Sequence, residues 1–142
     1  MTVVDPNIAI VTSDLERVAE THGDITAAVY ERFFDVSPES EALLGHTDQA
    51  MQGRMLQQTL ELLLSDEHLG PDGYLDWELD NHLIGYRVTR AMYLHYLKAI
   101  CEVVVPGAKP HAAEAWHART RKIVDRIDAF EARRAGAGAA EA

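Results

Sequence analysis

The sequence predicts an all-α domain, and three observations carry that prediction. Apolar residues recur every three to four positions, no stretch joins β-branched residues to period-two alternation, and Gly, Pro and capping residues cut the chain into segments of helical length. The 142 residues fall within the size of one domain, and a 47% hydrophobic composition is enough to bury a core. The expected organisation is one folded domain over residues 1–133 and a flexible tail over 134–142.

Asp5 has the chemistry of an N-cap and Pro6 that of a first helical residue, while Gly23-Asp24 is a stop followed by a fresh cap. A first helix is therefore expected near 6–21. From Asp24 onward Ile25, Ala28, Val29 and Phe33 share one face, which predicts a second helix ending near 36, where Ser37-Pro38-Glu39 caps a short turn. Gly45 breaks the chain again. Thr47 precedes a long amphipathic helix on which Gln52, Leu56, Leu60 and Leu63 recur at i, i+4, i+8 and i+11. After the turn chemistry of Gly70-Pro71-Asp72-Gly73, Leu75, Leu79 and His82 line one face of a shorter helix that ends at Gly85. Thr89 can cap the next helix, whose face holds Tyr93, Leu97, Ile100 and Val104 until Pro106-Gly107 stops it. The last helix starts near Pro110 and carries Trp116, Ile123 and Ile127. Beyond Arg133 the Ala- and Gly-rich segment has nothing large to bury, so a frayed tail is expected. There is no internal repeat.

Charge and composition exclude several classes of partner. A net charge of −10 opposes polyanions, and no clustered Lys/Arg face is present, so nucleic acids and anionic membranes are not expected partners. No apolar run reaches the roughly 18 residues of a membrane span, and the N-terminus lacks a signal-peptide pattern, which points to a cytoplasmic protein. Cys101 is the single cysteine, which excludes an internal disulfide, a zinc ribbon and a redox dithiol.

Three polar residues stand on otherwise apolar helical faces. Of seven histidines, His22, His46, His68, His95, His111 and His117 lie at helix ends or in polar company and read as surface residues. His82 instead sits on an apolar stripe, where a neutral imidazole needs a hydrogen-bond partner or a metal to offset its desolvation. Gln52 interrupts a stripe of leucines, and Tyr30 brings a hydroxyl beside Phe33 and Phe34. Each alone is more often plain core than site. Together they fit a pocket that holds a small ligand through a few convergent polar groups.

The run Val29-Tyr30-Glu31-Arg32-Phe33-Phe34-Asp35-Val36-Ser37-Pro38-Glu39, then Gln52-Gly53-Arg54-Met55-Leu56, then His82 and Trp116, resembles the order found in bacterial globins. The resemblance spans about residues 10–131 and is strongest to single-domain globins and the haem domains of flavohaemoglobins. It implies a globin fold of about seven or eight helices, three over three, around one haem b. His82 would be the proximal iron ligand and Gln52 would face the opposite side, with the family's separation of about 82 − 52 = 30 residues. The resemblance further implies that the Tyr30 hydroxyl bonds the gaseous ligand, that Gln52 is a second distal donor, and that Leu56 roofs the site. Tyr93 and Glu131 match the proximal tyrosine and glutamate of flavohaemoglobins. Three departures stand out: Leu44 replaces a nearly invariant haem-wedging phenylalanine, 93 − 82 = 11 is one residue longer than the family spacing, and Leu79 lies three rather than four residues before His82, so that a strict frame counted back from Tyr93 puts Leu83 under the iron. A one-residue bulge before Gly85 would restore the register.

The implied function is reversible binding of O2, NO or CO. A Tyr/Gln pair of donors in a dry pocket favours a ligand that takes on negative charge. The resemblance also implies oxidation of nitric oxide to nitrate, with Tyr30 and Gln52 as the catalytic residues. That would require a separate reductase, because 142 residues leave no length for flavin and nicotinamide domains. The alternatives are a gas-sensing module and a haem-free globin-fold interaction module, in a monomer or homodimer. Gln52, His46 and Met55 remain open as a sixth iron ligand.

Overall fold

Local capping chemistry sets most helix boundaries in this computed structural model, which describes residues 4–67, 69, 74–80 and 87–141. Helix α1 (Pro6–His22) opens where Asp5 accepts a bond from the Asn7 amide at 2.9 Å, with Pro6 supplying no orphan donor. It closes at Gly23, whose φ of 64° a side chain would strain. Helix α2 (Thr26–Val36) has Ile25, not Asp24, at its N-cap, yet Asp24 does the capping chemistry by accepting from both the amide and the hydroxyl of Thr26. Helix α3 (Pro38–Leu44) follows at once, with Ser37 as its N-cap residue and the buried Ser37 and Ser40 hydroxyls paired at 2.7 Å.

The next boundary is shared by two capping residues just after Gly45. Helix α4 (Gln49–Leu64) is capped by Asp48, which accepts from Met51 N at 2.8 Å, while Thr47 turns back and donates to the Leu44 carbonyl at 2.6 Å. Two adjacent capping residues therefore divide the work: one closes α3 and the other opens α4. Helix α5 (Tyr74–Asp80) follows, and the 70–73 turn, His82 and the Gly85 stop lie outside the described residues. Helix α6 (Arg90–Val104) is capped by Thr89, as its sequence predicts.

Helix α7 (Pro110–Glu141) runs past Arg133 into the Ala- and Gly-rich segment, where alanine, with the highest intrinsic propensity, favours a helix without a packing partner. Residues 134–136 are exposed.

Among the described residues there are seven helices and no strand. Helix α7 packs on α1, α4, α5 and α6, while α2 packs on α3, α4 and α6. Their shared interior holds Val11, Phe33, Leu63, Leu79, Ile100, Trp116 and Ile127, all at 1% exposure or less. Each such large side chain contributes about 1.5–3 kcal/mol by leaving water. The Trp116 indole donates to Asp14 at 2.8 Å, and Arg17 joins Asp14 to the Val104 carbonyl at the end of α6. No described helix is long and apolar enough to cross a membrane.

Candidate functional site

The aromatic run of α2 meets α6 at a cluster built around Tyr30. The Tyr30 side chain is buried, and its ring stands edge-on to Phe33, Phe34 and Tyr96 at centroid distances of 6.0, 5.5 and 5.4 Å. Its hydroxyl lies 3.1 Å from that of Tyr96. Burial pushes the Tyr30 phenol up to about 12, the bond to Tyr96 drawing it part of the way back. Burial also pushes Tyr96 up, as does Tyr30 beside it. Both side chains are therefore neutral hydroxyls at physiological pH, able to donate and accept.

Helix α4 supplies the next group. Leu56 is buried and Gln52, one turn earlier on the same face, is half-buried. The Gln52 amide nitrogen donates to the carbonyl and hydroxyl of Thr47 at 3.3 and 3.2 Å. Both contacts are long for hydrogen bonds, and both are local to the helix N-terminus. One turn beyond Met55, Thr59 donates to the Met55 carbonyl at 3.1 Å and comes within bonding reach of Tyr96. Leu44, Phe34, Met55 and Tyr93 are half-buried apolar side chains at the margin of the core.

On the other side of α6, Glu131 of α7 is half-buried and lies near enough to Arg90 to help hold its proton. Arg90 is one turn before Tyr93, so Glu131 and Tyr93 occupy neighbouring turns of the α6·α7 contact. His82, assigned to the iron, lies outside the described residues, as does His68. The other histidines are exposed, except His95, which is half-buried. No cluster of three or more His, Cys, Asp or Glu able to hold a metal occurs among the described residues.

Comparison with solved structures identifies the arrangement of helices. A protein from Pseudomonas aeruginosa PAO1, described as structurally highly homologous to a human haemoglobin, superposes on 87% of this chain and 97% of its own with a TM-score of 0.74 and 18% identity. The chain has the globin fold. No protein-family model matches the sequence, and no curated protein does. Helix α2, which carries Tyr30, packs on α4, which carries Gln52 and Leu56, and on α6, which carries Tyr96.

Two residues of consequence are missing from the sequence-based set. Tyr96 follows Tyr93 by three positions and precedes Leu97, so it falls on the apolar stripe of α6 and could have been found by the same stripe test that marks Gln52. Arg119 sits between Trp116 and Ile123 on the buried face of α7 and is itself fully buried. It donates to the carbonyls of Leu63, Leu62 and Ser65 and to the carboxylates of Asp5 and Asp66. A charge with so many acceptors is a structural anchor rather than a catalytic group.

Proposed function

We propose that the chain is a haem-binding globin that takes diatomic gases, with Tyr30 and Gln52 as donors on the distal side and His82 as the iron ligand. The observation that carries this reading is the buried Tyr30 hydroxyl set among Phe33, Phe34 and Tyr96 in a globin fold. What supports a porphyrin among the described side chains is their chemistry: Phe34, Leu44, Met55 and Tyr93 offer half-buried apolar surface, and the polar groups Tyr30, Tyr96 and Gln52 are neutral hydroxyls and an amide. Haem, when bound, would supply the iron that takes O2, NO or CO and, given one electron from a separate reductase, the conversion of O2 and NO to nitrate.

The chain's own residues do the rest. Leu56 and the aromatic rings of α2 keep water from the gas, and Tyr30 turns its proton toward it. In a site of low dielectric, such a bond to a ligand that draws negative charge is stronger than it would be in water. Tyr93 and Glu131 would face the iron ligand from the opposite side and fix its ring. Leu44 would offer a porphyrin less contact than a phenylalanine at that position, so faster haem loss is expected.

A second reading has an observation of its own. Tyr30 and Gln52 both find partners inside the protein, so neither requires a ligand, and a haem-free interaction module is consistent with that. A visible spectrum of the purified chain, reduced with and without carbon monoxide, separates the two. A Soret band that shifts with carbon monoxide and disappears in His82→Ala supports the haem reading. No Soret band after added hemin would replace it with the interaction module.

A further inference from the structure

Tyr96 is the group that the proposed function leaves unused, and its position gives it a specific task. Its hydroxyl is 3.1 Å from that of Tyr30, on a ring held by Tyr30 at 5.4 Å and by Phe33 at 5.0 Å. Thr59 on α4 is within bonding reach of the same hydroxyl, and buried Glu78 on α5 is close enough to disfavour its ionisation. Thr59 gives its own proton to the Met55 carbonyl at 3.1 Å. Among these hydroxyls the bond with a set direction runs from Tyr30, the donor, to Tyr96, the acceptor.

We propose that Tyr96 is a positioning residue that holds the Tyr30 proton in the resting pocket and competes for it with the bound gas, lowering gas affinity. This inference rests on the haem reading above. When a gas arrives, the Tyr30 proton swings toward it, and the Tyr96 proton reverses to fill the vacated bond. Only C–O torsions change, and no ring has to move.

Two effects of Tyr96 oppose each other, and magnitude decides between them. A Tyr30 hydroxyl that accepts from Tyr96 is a somewhat better donor, by about 10–30% of one bond. Competition takes away most of a neutral bond, which corresponds to roughly 2- to 10-fold in an equilibrium. Competition wins. Without Tyr96 the buried Tyr30 hydroxyl lacks its resting acceptor, and the gas becomes its best partner.

The test is the release of O2 from the ferrous holoprotein by rapid displacement with carbon monoxide, for wild type, Tyr30→Phe, Tyr96→Phe and the double variant. Tyr96→Phe should release O2 roughly 2- to 10-fold more slowly, the opposite of Tyr30→Phe, and the double variant should behave like Tyr30→Phe. If Tyr96 merely braced the Tyr30 ring, its removal would misplace the donor and speed release, so unchanged or faster release overturns the inference. Urea unfolding of the same four proteins without haem gives a second readout, in which a Tyr30–Tyr96 coupling is expected and additive losses would contradict it. A Soret band with the wrong sign of release defeats this inference alone. A chain that takes up no haem defeats the reading beneath it as well.

Discussion

The two ends of α4 are held in opposite ways. At the C-terminal end the Arg119 guanidinium, fully buried, donates to the carbonyls of Leu62, Leu63 and Ser65 and is neutralised by Asp5 and Asp66. These are the orphan carbonyls and the negative pole of the helix, so a cation there satisfies both. At the N-terminal end, Gln52 bonds Thr47 through two long neutral contacts. A buried charge cannot exchange partners without a large desolvation cost, whereas neutral hydroxyls and amides can trade one acceptor for another. The helix is fixed where charge holds it and adaptable where a ligand would arrive.

The sharpest way to break this comparison is Arg119→Met, which keeps much of the volume and removes the charge. Three carbonyls and two carboxylates lose their shared donor, and breaking a buried ion pair costs about 3–5 kcal/mol. Urea unfolding should show a loss of that size, and a loss below about 1 kcal/mol would mean that solvent satisfies the end of α4 and that it is not locked at all.

Asp5→Asn probes the same anchor more gently, because asparagine is also a good N-cap and leaves the start of α1 intact. Burial alone would raise the Asp5 carboxyl, but the Asn7 amide, Lys122 and Arg119 bring it down from 3.8 to about 2. A folded-state pKa below the unfolded value gives stability that is complete above about pH 4 and is lost as pH falls toward 2. The variant should lose about 2 kcal/mol at neutral pH, the scale of a bond to a charged group. It should also show a shallower loss between pH 4 and 2 than wild type. An identical acid limb in both proteins would show that Asp5 does not share in the lock.

How much of this was legible in the sequence follows the range of the forces involved. Asp5, Thr89 and the Ser37-Pro38 junction act within four residues, so their chemistry is visible in the sequence itself. Thr47 and Asp48 are both good caps, and the choice between them rests on the Thr47 bond to Leu44, a matter of backbone geometry rather than residue type. The stripe of α7 passes through Arg119, yet its partners lie 53 to 114 residues away, and no local pattern pairs them. Tyr30, Gln52 and Leu56 stand out as a set because each is a polar or bulky residue on a regular face, while the Tyr30–Tyr96 bond joins positions 66 residues apart.

On the adaptable side, Tyr30→Phe tests whether the neutral cluster serves a ligand. The Tyr30 bond to O2 would be worth about 1.5–3 kcal/mol if the gas carries substantial negative charge, so release from the ferrous protein should quicken on the order of 10-fold or more. An unchanged rate would place the Tyr30 proton permanently on Tyr96 and make the cluster as fixed as the Arg119 anchor.

Gln52→Leu should have the smaller effect of the same sign. Its amide is half-buried and already donates to Thr47 through contacts of 3.2 and 3.3 Å, so little is gained when it turns toward a gas. A neutral bond of that kind is worth about 0.5–1.5 kcal/mol, which corresponds to roughly 2- to 10-fold faster O2 release, at or below the low end expected for Tyr30→Phe. Because the Thr47 contacts are long and partly solvated, the same substitution should leave urea stability within about 0.5 kcal/mol of wild type. Slower release would mean that Gln52 hinders the gas instead of bonding it. A large stability loss would mean that its bonds to Thr47 are a structural lock, and the two ends of α4 would then differ in charge but not in kind.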